Sequence, residues 1–294
     1  MTDLPLLPLP DDDAGLRLPE GAAFSQLPTP TDFADSQIIP HSTLIPPSEE
    51  ELAVPFRFTF AGRECTSPAD LAQAMVDAWD EARLGLLTGR LAGALDAVSL
   101  PAASVCREAT AAAAAGTITP DRAVLSVIHR LSGKALVVWQ GRRYASAIDL
   151  GSSLLQALRG TGAIPAHFDS LMTSAAASVF AEEAQKPGLR RLESRCAAPD
   201  CTLREKTCLM YMVGFLLCGT AALVMEGETF YTVEQLAAWL EGRARRSSAA
   251  FTRACHRLLD ADHLLDPQLE AWLIALGRRQ DVALWQAEMD AGML

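Results

Sequence analysis

The chain has 294 residues, half of them apolar, enough for one large domain or two ordinary ones with a sizeable core. Its net charge of −11 is concentrated: residues 1–55 carry ten acidic side chains against Arg17 alone, which leaves the remainder at about −2. A body without a basic excess argues against nucleic-acid and anionic-membrane partners, because both demand cations that neutralise phosphate.

Seven cysteines, odd in number and irregularly spaced, suit a reducing compartment. The N-terminus shows no basic stretch, and its apolar residues are interrupted by Pro5, Pro8 and Pro10, so no signal peptide is expected and a cytoplasmic site of synthesis is. Ten of the 17 prolines fall within residues 1–55. Proline blocks helix interiors and like charges repel, so this segment is expected to be an extended or disordered acidic tail. Two apolar clusters interrupt it, Ile38-Ile39 and Leu44-Ile45. They either pack onto the protein's own body or form a docking motif that orders on a protein partner. Ile38, Ile39, Leu44 and Ile45 are the expected partner-binding residues.

Downstream, one motif occurs three times without gaps. It runs through Phe58-Thr59-Phe60-Ala61-Gly62 to Leu71, through Val137-Val138-Trp139-Gln140-Gly141 to Leu150, and through Leu223-Val224-Met225-Glu226-Gly227 to Leu236. Apolar residues two and four before the glycine line one face of a strand. The residue–glycine pair makes a tight hairpin turn. A two-residue loop then sets Cys65, Tyr144 and Phe230 opposite Phe58, Val137 and Leu223, all covering one buried face. Ser67, Ser146 and Thr232 follow as helix N-caps, with Asp70, Asp149 and Gln235 three residues on. Gln235 suits a capping box, and the aspartates are shorter versions of it. The helices that follow should bury Leu71, Met75 and Trp79; Leu150, Leu154 and Leu158; and Leu236, Leu240 and Ala244.

Helices also lead into the second and third copies. Thr119-Pro120 starts one that Gly133 ends, and Thr202 starts another that Gly219 ends, with a strand expected two residues after each glycine. The uncharged run Cys208–Met225 reaches the lower length limit for a membrane span. Aligned on the repeat, it reads instead as a buried helix running into a strand. The expected fold is therefore α+β and predominantly α-helical: three related β-hairpin-plus-helices subdomains packed together behind the tail. Their expected bounds are 56–133, 134–220 and 221–294.

Candidate chemistry is sparse. Cys196, Cys201 and Cys208 are spaced too loosely for the usual zinc pairs. Asp260, Asp262, His263 and Asp266 read as a surface loop whose last member caps a helix from Pro267 to Leu276, closed by Gly277. Cys255 and His256 are neighbours that a helix points about 100° apart. No nucleotide, hydrolase or metalloprotease motif occurs, so no catalytic, metal or cofactor residue is assigned. The functional expectation is a non-enzymatic interaction adaptor or assembly subunit. The alternatives are an exported effector or toxin-associated protein with an N-terminal export segment, and an enzyme whose site residues are dispersed in sequence.

Overall fold

The computed structural model describes residues 56–161 and 163–290; the whole tail, with Ile38, Ile39, Leu44 and Ile45, lies outside the described residues. The protein is mostly helical, with small antiparallel two-stranded sheets. Contacts cluster into two compact units, one up to Tyr144 and one from Ala145 onward.

The first unit opens with the hairpin β1 (Phe58–Phe60) and β2 (Arg63–Cys65) and the helix α1 (Pro68–Asp77). Helices α2 (Trp79–Leu87), α3 (Arg90–Leu95), α4 (Leu100–Ala114) and α5 (Pro120–Ser132) follow, and the hairpin β3 (Val138–Trp139) and β4 (Arg142–Arg143) closes the unit. Leu71, Met75 and Trp79 are buried as their spacing requires, but they do not share one helix. The chain breaks at Ala78 (φ −119°, ψ 57°), so Trp79 begins α2. The packing is between helices: α1 and α2 both lie against α5, which is itself covered by α4.

The second unit opens with helices. It comprises α6 (Ala147–Thr161), α7 (Ala166–Thr173), α8 (Ala177–Phe180), α9 (Lys186–Cys196) and α10 (Leu203–Cys218). The hairpin β5 (Leu223–Met225) and β6 (Glu228–Phe230) comes next, then α11 (Val233–Arg246), α12 (Ser248–His256), α13 (Pro267–Ala275) and α14 (Arg279–Asp290). α10 is the central helix, packed on α6, α9 and α13. Its contact with α6 is close enough to need glycine on both sides. A Cβ at Gly151 would lie 2.8 Å from the Leu217 Cβ and 3.0 Å from the Gly214 carbonyl oxygen; one at Gly214 would lie 2.6 Å from the Leu155 side chain.

A common rule emerges across the units. The helix after one hairpin packs against the helix before the next, α1 on α5 and α6 on α10. Gly133 and Gly219, at φ 63° and 68°, end those two leading helices. The strands after them start at Val138 and Leu223, later than two residues on, since a short extended stretch is needed to turn the chain back. The uncharged run from Cys208 is the buried helix α10 followed by β5, and no helix among the described residues is long and apolar enough to cross a membrane.

The three hairpins have the expected register. Phe58 pairs with Cys65, Leu223 pairs with Phe230, and the Tyr144 N–H donates to the Val137 carbonyl at 2.9 Å. Cys65, Leu223 and Phe230 are buried, while Phe58, Val137 and Tyr144 are only half-buried. Both central turn residues are left-handed in every copy: Ala61 and Gly62 at φ 49° and 76°, Gln140 and Gly141 at 45° and 79°, Glu226 and Gly227 at 50° and 81°. That is the type I′ turn, whose twist matches the strands it joins. It places a non-glycine residue at positive φ three times over, where a side chain crowds its own backbone.

The third helix departs from its series. Leu236 is buried, but Leu240 is half-buried and Ala244 exposed. The reason is the missing partner. Among the described residues α11 has α12 as its main neighbour, and no helix there packs along it as α5 does on α1 or α10 on α6.

Candidate functional site

The recurring polar positions of the motif cap helices. The hydroxyls of Ser67, Ser146 and Thr232 accept from the N–H of Asp70, Asp149 and Gln235 at 3.0, 3.2 and 3.3 Å. The reciprocal bond goes one residue further back than a capping box requires. Asp70 accepts from the Thr66 N–H at 3.1 Å, Asp149 from the Ala145 N–H at 2.9 Å, and Gln235 from the Tyr231 N–H at 2.7 Å. Gln235 also reaches Thr232 at 3.4 Å and so completes the box, because its longer side chain spans both donors. The Thr66 hydroxyl, and after it the Ser67 hydroxyl, hold the Asp70 carboxyl below its ordinary range.

The cysteine cluster does not form a ligand set. Cys196 and Cys208 are buried on α9 and α10, with Cys201 half-buried between them, and all seven cysteines are free thiols. Burial pushes the Cys196 thiol up to about 12 and the Cys208 thiol well above its usual value. Thiols that resist ionisation are poor nucleophiles and poor ligands. Among the described residues no group of three or more His, Cys, Asp or Glu side chains is placed to hold a metal ion. Cys255 is buried and His256 exposed, as their adjacency on one helix dictates. The His129 ring meets the Leu136 carbonyl at 2.7 Å, and burial lowers its pKa.

The acidic loop is structural. Asp266 caps α13 by accepting from the Gln268 and Leu269 N–H groups at 2.8 and 3.4 Å. Asp260 folds the loop, taking the N–H of Asp262 and Leu264 at 2.9 and 3.1 Å. Its other oxygen receives Arg204 Nε at 2.9 Å.

Three polar arrangements went unseen in the sequence. Arg204 is the centre of one, bridging Asp260 and the buried Glu270. In the second, Arg195 forks onto the buried Glu205 carboxylate through Nε and Nη2 and also reaches Asp200 at 2.8 Å. In the third, the Trp79 indole donates to Asp121 at 2.7 Å, and Gln140 in the second hairpin turn donates to the same carboxylate at 3.0 Å. The partners of Arg204 and of Asp121 lie far apart in the chain, and those of Arg195 lie across a loop between two helices, so no helical or strand spacing marks them. The one available signal was a charged residue at a helical core position, as at Glu205.

An open groove of about 470 Å³ is lined by Asp80, Arg83, Leu84, Leu87 and Pro120. Leu84 and Leu87 are exposed beside it. Comparison with protein families, with curated proteins and with solved structures finds no match to this chain.

Proposed function

We propose that the chain is a non-enzymatic interaction adaptor or assembly subunit of a larger complex, made of three related hairpin-plus-helices subdomains packed together. Residues 1–55 serve as its docking segment for a protein partner, through Ile38, Ile39, Leu44 and Ile45. The observation that supports this most is the employment of the polar groups. The carboxylates that the fold buries, Asp121, Glu193, Glu205 and Glu270, each bond a structural neighbour. The recurring serine, threonine and acidic positions cap helices. Groups committed to packing are not poised for proton transfer, whereas the tail carries apolar clusters in a composition poor in self-burial.

The test uses the full chain as bait, beside a variant with Ile38, Ile39, Leu44 and Ile45 all replaced by serine. Partners captured by the native chain and lost from the variant are expected. An identical set of partners at equal recovery from both would remove the tail from the reading.

A further inference from the structure

Counted from the helix cap, one face recurs on the helix after each hairpin, and in the third copy that face lies open. Five, eight and nine residues beyond Ser67 stand Ala72, Met75 and Val76, all buried, on the helix that packs against α5. At the same distances beyond Ser146 stand Gly151, Leu154 and Leu155, all buried, with Gly151 and Leu155 set directly against α10. Beyond Thr232 the same positions are Ala237, exposed, Leu240, half-buried, and Glu241, exposed; Ala244, a turn further on, is exposed too. Residues three and four apart are neighbours on a helix, so these positions form one continuous strip. Val233, Ala237, Leu240 and Ala244 follow one another at four, three and four residues, the spacing by which one helix lies along another.

The charges beside this strip say what fits it. Glu234 and Arg245 are eleven residues apart, which is three helical turns, so both stand on the same side of α11, one near each end. Their side chains are 75% and 82% exposed, and their pairs with Arg278 and Glu241, both at 3.3 Å, are surface pairs that exchange at little cost. An acid at one end and a base at the other match themselves in one arrangement. A second α11 laid antiparallel across the strip sets each Glu234 against the partner's Arg245, so both contacts of a two-fold pair are attractive. A parallel arrangement sets like on like. Glu234 and Glu241 together also repel an acidic occupant such as residues 1–55.

We infer that α11 is the surface through which the chain pairs with a second copy of itself, antiparallel and two-fold, along Ala237, Leu240 and Ala244 with Glu234 facing the partner's Arg245. The second copy supplies to α11 the packed helix that α5 supplies to α1 and α10 to α6. The inference goes beyond the adaptor reading and does not rest on it: the pairing stands whether or not residues 1–55 dock another protein.

The test is sedimentation equilibrium on the full chain over a range of concentrations. The native mass should rise with concentration from 31.5 kDa to twice that. Glu234→Arg and Arg245→Glu each place two like-charge contacts in the pair and should each raise the dissociation constant by about tenfold or more. An equal mixture of the two variants should recover the native constant, because each then meets the opposite charge at both contacts. Both side chains are mostly exposed, so the fold should be untouched, and an unaltered helix signal in circular dichroism checks that. A native chain that stays monomeric up to about 1 mM would overturn the inference. So would a dimer whose constant neither variant moves, which places the interface elsewhere. Weakening by both variants without recovery on mixing would overturn the antiparallel pairing of Glu234 with the partner's Arg245.

Discussion

Arg204 Nη2 and the Glu270 carboxylate meet at 2.7 Å between α10 and α13, with Glu270 only 8% exposed. Burial raises the Glu270 pKa, and Arg204 is the cation that opposes the rise. Removing Arg204 leaves a carboxylate with its desolvation cost and no compensation. Arg204→Met should lose about 3 kcal/mol at neutral pH in urea denaturation. In that variant the native carboxyl holds its proton more tightly than the unfolded one. Stability therefore falls as pH rises from the ordinary value of 4.5 through the raised native one. The deficit against the native protein should be largest at pH 7 and shrink on acidification toward pH 5. A pH-independent deficit would assign the loss to packing instead.

A second prediction concerns the α6–α10 contact. Gly151→Ala pushes a methyl against a Cβ and a backbone oxygen, neither of which can swing away. It should cost about 1–3 kcal/mol by thermal or chemical denaturation. Gly214→Ala meets the flexible Leu155 side chain and should cost less. The reverse order would show that the helices slide apart more easily than Leu155 repacks.

The turns provide a third. Ala61 and Gly62 are both left-handed, as a type I′ turn requires. Gly62→Ala should destabilise by about 1 kcal/mol, through strain alone, since a Cβ there meets nothing. Ala61→Asn should stabilise by a few tenths of a kcal/mol, as asparagine tolerates that region better. Gly242→Ala, in an α11 interior with open space, should stabilise by about 0.5–1 kcal/mol. The same chemical change thus takes opposite signs at Gly62 and Gly242.

Finally, Asp121 ties α5 to Trp79 and to the second hairpin turn. Asp121→Ala strands a buried indole N–H and should lose about 1.5–3 kcal/mol. Trp79→Phe, which removes the donor as well as part of the ring, should be partly additive with it in a double-mutant cycle. A coupling energy near zero would mean that the bond is formed equally well with water.

The local devices were legible in the sequence because each is set by neighbours in the chain. Strand alternation, the residue–glycine turn, the serine and threonine caps and the glycine helix ends all depend on residues within about five positions of one another. Hence the registers of Phe58 with Cys65 and Leu223 with Phe230, and the cap by Asp266, follow from local pattern. The break at Ala78 did not, since the 3.6-residue period of Leu71, Met75 and Trp79 runs through it unaltered. Nor did the exposure of Ala244, which has the right spacing but no helix to meet.

What only tertiary structure decided is which elements come together. The second hairpin meets helices far before it in the chain: Arg143 binds Asp77 at 2.6 Å and Trp139 packs on Trp79. The ion pairs of Arg204 and Arg195, and the glycine contact of Gly151 with Gly214, join residues with no fixed spacing. Burial and partner are properties of the packed chain, and a linear pattern carries the period of a face but not the identity of what covers it.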